Sequence, residues 1–159
     1  MGVAGSGKST IGRALAAALG WQFFDGDDFH SEANKQKMAH GVPLDDRDRQ
    51  GWLERLRGLI AEQIGAGKSA VLACSALKRS YRETLCVSGA EVKLVYLKGS
   101  HALLKERLLH RKDHFFSPPL LEDQLATLEE PAAAITVEIA RPPAEIVADL
   151  QARLAAFLK

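Results

Sequence analysis

Cysteine is scarce in this chain, with Cys74 and Cys86 the two examples in 159 residues. Two thiols do not build a disulfide framework or a cysteine metal cluster, and a reducing, cytoplasmic setting fits. Cys74 closes an apolar run and is expected as a small core residue. An excess of one charge is also missing. Lys plus Arg number 21 against 20 Asp plus Glu, a formal net charge of +1. That balance gives no reason to expect nucleic acid or an anionic membrane as the main partner. No apolar run approaches the roughly 20 residues that span a bilayer. Repeats, low-complexity tracts and linkers are absent as well. What is left is 47% hydrophobic and 26% charged, the composition of one globular domain over residues 1–159 with a core of its own.

The first ten residues carry the strongest signal. Gly2-Val3-Ala4-Gly5-Ser6-Gly7-Lys8-Ser9-Thr10 fits the phosphate-binding P-loop at every fixed position. Gly2, Gly5, Ser6 and Gly7 are expected to turn backbone N–H groups toward phosphate oxygens, with Thr10 just inside the following helix. Lys8 is expected at the terminal phosphates, and the Ser9 hydroxyl on Mg²⁺. Ile11, Ala14, Leu15, Ala18 and Leu19 recur at helical spacing, so the loop opens a helix whose N-terminus attracts anions, and Gly20 stands at its stop. A P-loop ordinarily follows a buried strand, yet Met1 alone stands before Gly2. The expectation is a sequence shortened by about one strand, which leaves the neighbours of a central strand unpaired along one side.

Further on, apolar runs and helical stripes alternate. Trp21–Phe24, Ala70–Cys74, Val92–Leu97 and Ile135–Ile139 read as strands. Ser31 is expected to cap a short helix to His40. Asp45 and Asp46 open a long one with Trp52, Leu53, Leu56, Leu59, Ile60 and Ile64 inward. Ser75 is expected to cap a helix carrying Lys78 and Arg82 on one face. His101–His110, Leu120–Glu129 and a last helix after Pro143, with Phe157 and Leu158 in its buried stripe, complete the pattern. Strands alternating with helices predict an α/β domain in three layers, α/β/α, around a parallel sheet: the P-loop kinase fold.

Chemistry is narrowed by further absences. A switch GTPase needs a late Asn-Lys-x-Asp motif, and Asn34-Lys35-Gln36-Lys37 is too early and lacks the Asp. A protein kinase needs a different Gly-rich loop and a DFG segment. A motor-type ATPase needs an apolar strand ending in Asp, and here the run ends Cys74-Ser75. A small-molecule kinase is favoured, with a nucleotide-binding regulatory protein kept as the alternative without chemistry. Asp25 and Asp27 leave one strand end two residues apart and, in extended geometry, point the same way. Asp25 is expected to orient a water on Mg²⁺, and Asp27 to receive the attacking hydroxyl's proton or position it. Arg107 and Arg111 lie one helical turn apart before a polar-aromatic stretch, the arrangement of a lid over phosphates, expected at about 111–130. Arg49, Lys78 and Arg82 are candidates to face an anionic substrate, and His30 and His114 to hydrogen-bond its hydroxyls.

Taken together these residues resemble gluconokinase. The resemblance rests on Gly2–Thr10, Asp25-Gly26-Asp27-Asp28-Phe29-His30, Asn34 with Lys37-Met38, and Gly41-Val42-Pro43-Leu44 with Asp48-Arg49 and Trp52-Leu53. Cys74-Ser75-Ala76-Leu77-Lys78 with Tyr81-Arg82, Leu97-Lys98-Gly99, Arg107, Arg111, His114-Phe115-Phe116 and Gln124 with Leu128-Glu129 and Pro131 extend it over nearly the whole chain. It implies a shikimate-kinase-like fold and transfer of the ATP γ-phosphoryl group to the 6-hydroxyl of D-gluconate. It also implies Mg²⁺ dependence, a cytoplasmic role and often a homodimer. Carried over by position, Lys8, Ser9 and Arg107 serve ATP, Asp27 the acceptor hydroxyl, and Arg49, Lys78 and Arg82 the acceptor's carboxylate and hydroxyls. Related kinases acting on shikimate or a nucleoside monophosphate remain the enzymatic alternatives.

Overall fold

A computed structural model describes residues 1–85, 89–110 and 118–157. The helix after the phosphate loop, α1 (Lys8–Leu19), starts on Gly7 and ends on Gly20, both with left-handed backbone. Strand β1 (Gln22–Asp25) follows, then a 3₁₀ turn over Gly26–Phe29. Helix α2 (Glu32–Ala39) is capped by the Ser31 hydroxyl, as expected. The long α3 (Asp46–Gly65) opens on a reciprocal capping box. Asp45 Oδ1 accepts the Asp48 N–H at 2.8 Å, and Asp48 Oδ2 accepts the Asp45 N–H at 3.0 Å. Next come β2 (Ala70–Ala73), α4 (Arg79–Leu85), β3 (Val95–Lys98), α5 (His101–Leu109), α6 (Pro118–Thr127), β4 (Ile135–Glu138) and α7 (Pro143–Leu154).

The described strands form two parallel pairs. β1 runs beside β2 from Gln22↔Ala70 to Asp25↔Ala73, and β3 beside β4 from Val95↔Ile135 to Lys98↔Glu138. Backbone at Met1 and Gly2 bridges the pairs. The Leu97 N–H donates to the Met1 carbonyl at 3.0 Å, the Met1 amino group donates to Val95 O, and the Gly2 N–H donates to Ser75 O at 3.3 Å. Beside this bridge a cavity of about 550 Å³ is lined by both pairs, with Leu15, Val71, Leu72, Val95 and Leu97 on its wall.

Successive residues of β2 pack on opposite cores, which makes the layers. Val71 joins the cluster of Ile11, Leu15, Ile146 and Leu150, from α1 and α7. Leu72, next along the strand, joins Trp52, Leu56, Tyr81 and Leu85, from α3 and α4. A period of two sends neighbouring side chains to opposite faces, so one helical layer lies on each side of the strands.

Several local expectations are corrected. Ser75 caps no helix. Residues 75–78 form a loop in which Ala76 takes φ 45°, and α4 starts only at Arg79, so Lys78 and Arg82 do not share a helix face. The strand expected from Val92 begins at Val95, after a 3₁₀ turn over Gly89–Glu91. Helix α6 spans Pro118–Thr127 rather than running to Glu129. Phe157 is exposed rather than part of the α7 stripe, and Leu158 lies outside the described residues. Of the range expected as a lid, Arg111–Ser117 also lie outside them. Its helical part is docked, with Leu121 buried in the first core.

Leu56 is 0% exposed at the centre of the second core. Leu56→Ala is expected to lower unfolding stability by about 2–5 kcal/mol, read from the urea midpoint at unchanged slope. A loss under about 1 kcal/mol would mean that this core collapses to refill the site.

Candidate active site

The phosphate loop is shaped by two glycines. At Gly2, with φ 152°, a Cβ would lie 2.7 Å from Ser6 Oγ and 2.9 Å from Leu97 O, so no side chain fits. Gly7 sits at the N-cap of α1 with φ 86° and brings no capping side chain. The N-terminus of α1 thus turns the positive end of its helix dipole toward the loop, a setting that suits an anion. Lys8 Nζ donates to the Val3 carbonyl at 3.0 Å, folded back over the loop. Ser6 is fully buried against Gly2 and its hydroxyl has no hydrogen-bond partner. Its side chain thus faces the interior, and its backbone N–H donates to Val3 O at 3.2 Å within the loop. Thr10 is exposed on α1. Helix α6 steadies the loop from behind, where Gln124 Oε1 accepts the Ala4 N–H at 2.7 Å.

Beside the loop, Ser9 Oγ donates to Asp25 Oδ2 at 2.6 Å. This bond joins the first turn of α1 to the end of β1, and it brings together two of the residues expected around Mg²⁺. A hydroxyl and a carboxylate are hard oxygen donors of the kind that Mg²⁺ takes alongside phosphate oxygens and water. Among the described residues no group of three or more His, Cys, Asp or Glu side chains is assembled for a metal. The Ser9 and Asp25 oxygens would fit a Mg²⁺ site whose other ligands are phosphate oxygens and water. Asp25 Oδ1 also accepts the Asp27 N–H at 3.2 Å and caps the 3₁₀ turn. Here the extended-geometry expectation is corrected. The chain turns at Gly26, so Asp27 stands exposed on the turn rather than parallel to Asp25 on a continuing strand. Trp52 anchors that turn by donating its indole N–H to Gly26 O at 2.7 Å.

Arg107 reaches the loop from α5. Its Nη2 donates to Ile139 O at 2.8 Å, and its Nη1 is 3.9 Å from the Cβ position of Gly7. Arg111 and His114 lie outside the described residues. On the acceptor side, Arg49 Nη1 donates to the Tyr81 hydroxyl at 3.2 Å. Lys78 Nζ donates to both oxygens of Asp46 at 2.7 and 2.8 Å, and the Tyr81 hydroxyl donates to Asp46 Oδ1. Lys78 holds the Asp46 carboxyl below its usual range, with help from Tyr81. Arg82, expected to face the substrate, is instead buried. Its Nη1 donates to Ala76 O at 3.0 Å and Leu77 O at 2.9 Å, which staples the loop that carries Lys78.

His30 is buried with its ring stacked on Trp52, centroids 4.5 Å apart and planes 11° from parallel. Burial, and then the positive charges of Arg49, Lys35 and Arg55, depress its pKa to about 4. The imidazole is therefore neutral at physiological pH. Sequence reasoning did not single out Asp46, Tyr81 or Trp52 for this site. Asp46 reads as one more acid at a helix start, and Trp52 as core.

Comparisons with known proteins agree on the family. The model of the shikimate kinase family matches residues 4–150. The chain is 47% identical over 150 residues to a probable gluconokinase of Mus musculus, covering 84% of this chain and 82% of that protein. It is 48% identical over 131 residues to the gluconokinase of Gluconobacter oxydans (strain 621H), covering 82% of this chain and 74% of that protein. A solved gluconokinase structure from Sinorhizobium meliloti 1021 superposes with a TM-score of 0.86 at 44% identity, over 98% of this chain and 89% of that one.

The buried imidazole has a consequence for pH. Its folded pKa of about 4 lies below the ordinary 6.5, so the unfolded chain binds the proton first and stability rises with pH through that window. The contribution is complete above pH 6.5 and is lost as pH falls toward 4. Replacing His30 by Gln is expected to flatten the rise of melting temperature between pH 4 and 6.5 relative to wild type. Identical slopes in the two proteins would contradict a neutral, buried His30.

Proposed function

We propose a reaction from one premise: the chain belongs to the gluconokinase family, within the kinases that the shikimate kinase model describes. Kinases of this family use ATP. The proposed reaction transfers the ATP γ-phosphoryl group to the 6-hydroxyl of D-gluconate, giving 6-phospho-D-gluconate and ADP. The observation that carries it is the Ser9–Asp25 hydrogen bond, which sets the turn bearing Asp27 against the phosphate loop. In this reading the N–H groups of Gly5–Ser9 and the Lys8 ammonium hold the β- and γ-phosphates, and Arg107 approaches from the Gly7 side. Arg111 and Thr10 complete the nucleotide contacts. Ser9 and, through water, Asp25 would hold Mg²⁺, which supplies charge neutralisation on the phosphates when bound. Asp27 positions the 6-hydroxyl and accepts its proton as the O6–P bond forms and the bond to the ADP oxygen breaks. Arg49 and Lys78 receive the carboxylate, while His30 and His114 bind hydroxyls of the chain. Among the described residues no helix is long and apolar enough to cross a membrane. A cytoplasmic setting and a homodimer belong to the same proposal.

An ATP-coupled assay over a panel of D-gluconate, shikimate and nucleoside monophosphates tests the acceptor. Turnover is expected with D-gluconate, and ADP release driven by another acceptor in its place would reject the reading. Lys8→Ala is expected to lower kcat/KM at least about a hundredfold, since it removes a charge aimed at the migrating group. Asp27→Asn is expected to depress kcat far more than ATP affinity. A defect confined to ATP binding would move Asp27 to the metal side. Light scattering reads the oligomer: a mass of one chain at assay concentration argues against the dimer.

A further inference from the structure

Arg49, Tyr81, Asp46 and Lys78 form a continuous hydrogen-bonded relay beside a cleft of about 480 Å³, whose wall includes Leu44, Asp46, Arg47, Arg49, Lys78 and Thr127. The residues come from distant parts of the chain. Asp46 and Arg49 sit on the first turn of α3, Lys78 on the loop after β2, and Tyr81 on α4. Arg49 donates to the Tyr81 oxygen, Tyr81 donates its own proton to Asp46, and Lys78 donates to both Asp46 oxygens. The Tyr81 ring lies under both cations, with the guanidinium carbon 5.7 Å and the ammonium nitrogen 5.5 Å from its centroid. One carboxylate and one phenol thus hold two cations at a single ring.

This arrangement differs from an ordinary exposed ion pair. A lone Lys–Asp pair on a surface fixes neither partner, because both side chains are flexible and screened. Here the second Asp46 contact is the hydroxyl of Tyr81, whose ring is buried in the second core, although Asp46 itself stays exposed. Both oxygens of Asp46 are engaged by Lys78, which fixes the ammonium's position and leaves it a further N–H to donate. Arg49 uses one Nη1 donor on Tyr81, and its planar fork has others. Orientation of this kind reduces the rotamer entropy that a ligand must otherwise quench on binding.

We infer that Asp46 is a positioning residue for the acceptor: directly it presets Lys78, and through Tyr81 it presets Arg49, as a clamp for the acceptor's carboxylate in this cleft. The inference rests on the gluconate reading and adds the residues that make the clamp selective for an acid over a neutral polyol. Asp46 and Tyr81 touch no reacting atom in this scheme, and their effect is confined to the capture of the carboxylate end.

The experiment compares wild type, Asp46→Asn and Tyr81→Phe for KM and kcat with D-gluconate, for KM with ATP, and for kcat/KM with D-glucitol, which keeps the hydroxyls and lacks the carboxylate. Asp46→Asn is expected to raise the gluconate KM about tenfold at nearly unchanged kcat and ATP KM. Its preference for gluconate over glucitol is expected to shrink by a similar factor. Tyr81→Phe, which leaves every charge in place, is expected to shift both values in the same direction by less. A gluconate KM that falls in Asp46→Asn would overturn the proposal, since Asp46 would then compete with the substrate for the cations. So would an unchanged KM, or matched losses for gluconate and glucitol. Should Asp46→Asn fail to fold, Tyr81→Phe decides alone by the same criteria. Normal wild-type turnover with unaltered variants would reject the relay and leave the reaction standing, whereas a wild type inert toward gluconate would reject both.

Discussion

The bond between Ser9 and Asp25 is the joint on which this molecule depends. One partner belongs to the first turn of the helix that carries the phosphate loop, the other to the last residue of a strand on the neighbouring element. Bringing them to 2.6 Å requires α1 to lie along β1. That in turn needs Ile11 and Leu15 buried against the first core. Asp25 then spends its second oxygen on the turn below it, which places Asp27 in the open. A single carboxylate so connects the first turn of α1 to the turn that bears Asp27. Local chemistry makes the contact strong, since a hydroxyl donating to a carboxylate is shorter and firmer than a neutral pair.

Around that joint the molecule separates two kinds of positive charge. Lys8 and Arg107 attend the phosphate loop, where Lys8 donates to Val3 O and Arg107 to Ile139 O. Arg49 and Lys78 attend the cleft, where the protein itself supplies the counter-charge through Asp46. Buried groups between them are kept neutral. His30, buried and near Arg49, Lys35 and Arg55, gives up its proton rather than add a further cation, and stacks on Trp52 as a neutral ring. Trp52 in turn holds the turn after β1 by its indole N–H. A core aromatic is thus also the support on which the exposed Asp27 rests.

Much of this was legible in the residues. The loop from Gly2 to Thr10 names its own chemistry because its glycines and its lysine are needed at fixed offsets for backbone reasons. Helix limits at Gly20, Ser31 and Asp45 were readable because capping is a local matter of one side chain and one N–H. Long-range partners were not. Ser75 looks like a cap, but Ala76 in a left-handed conformation and Arg82 bound to two carbonyls hold that stretch as a loop. Arg82 looks like a surface cation at helical spacing from Lys78, and tertiary contacts turn it inward. Asp46 carries no mark in the sequence that separates it from Asp45 and Asp48, which serve the helix cap. Asp27 was expected to continue a strand. The 3₁₀ turn that displaces it depends on Trp52, 25 positions further along the chain.

Cys74 draws the layers together in another way. It is buried in the second core, directly after β2, and desolvation pushes its thiol up to about 11. Nucleophilic sulfur is thiolate sulfur, so in the folded molecule this cysteine is chemically silent at neutral pH. It packs against α3 and α4 on one side and lines the interior cavity on the other. Its rate of alkylation at neutral pH therefore acts as a clock for the opening of the core around the end of β2.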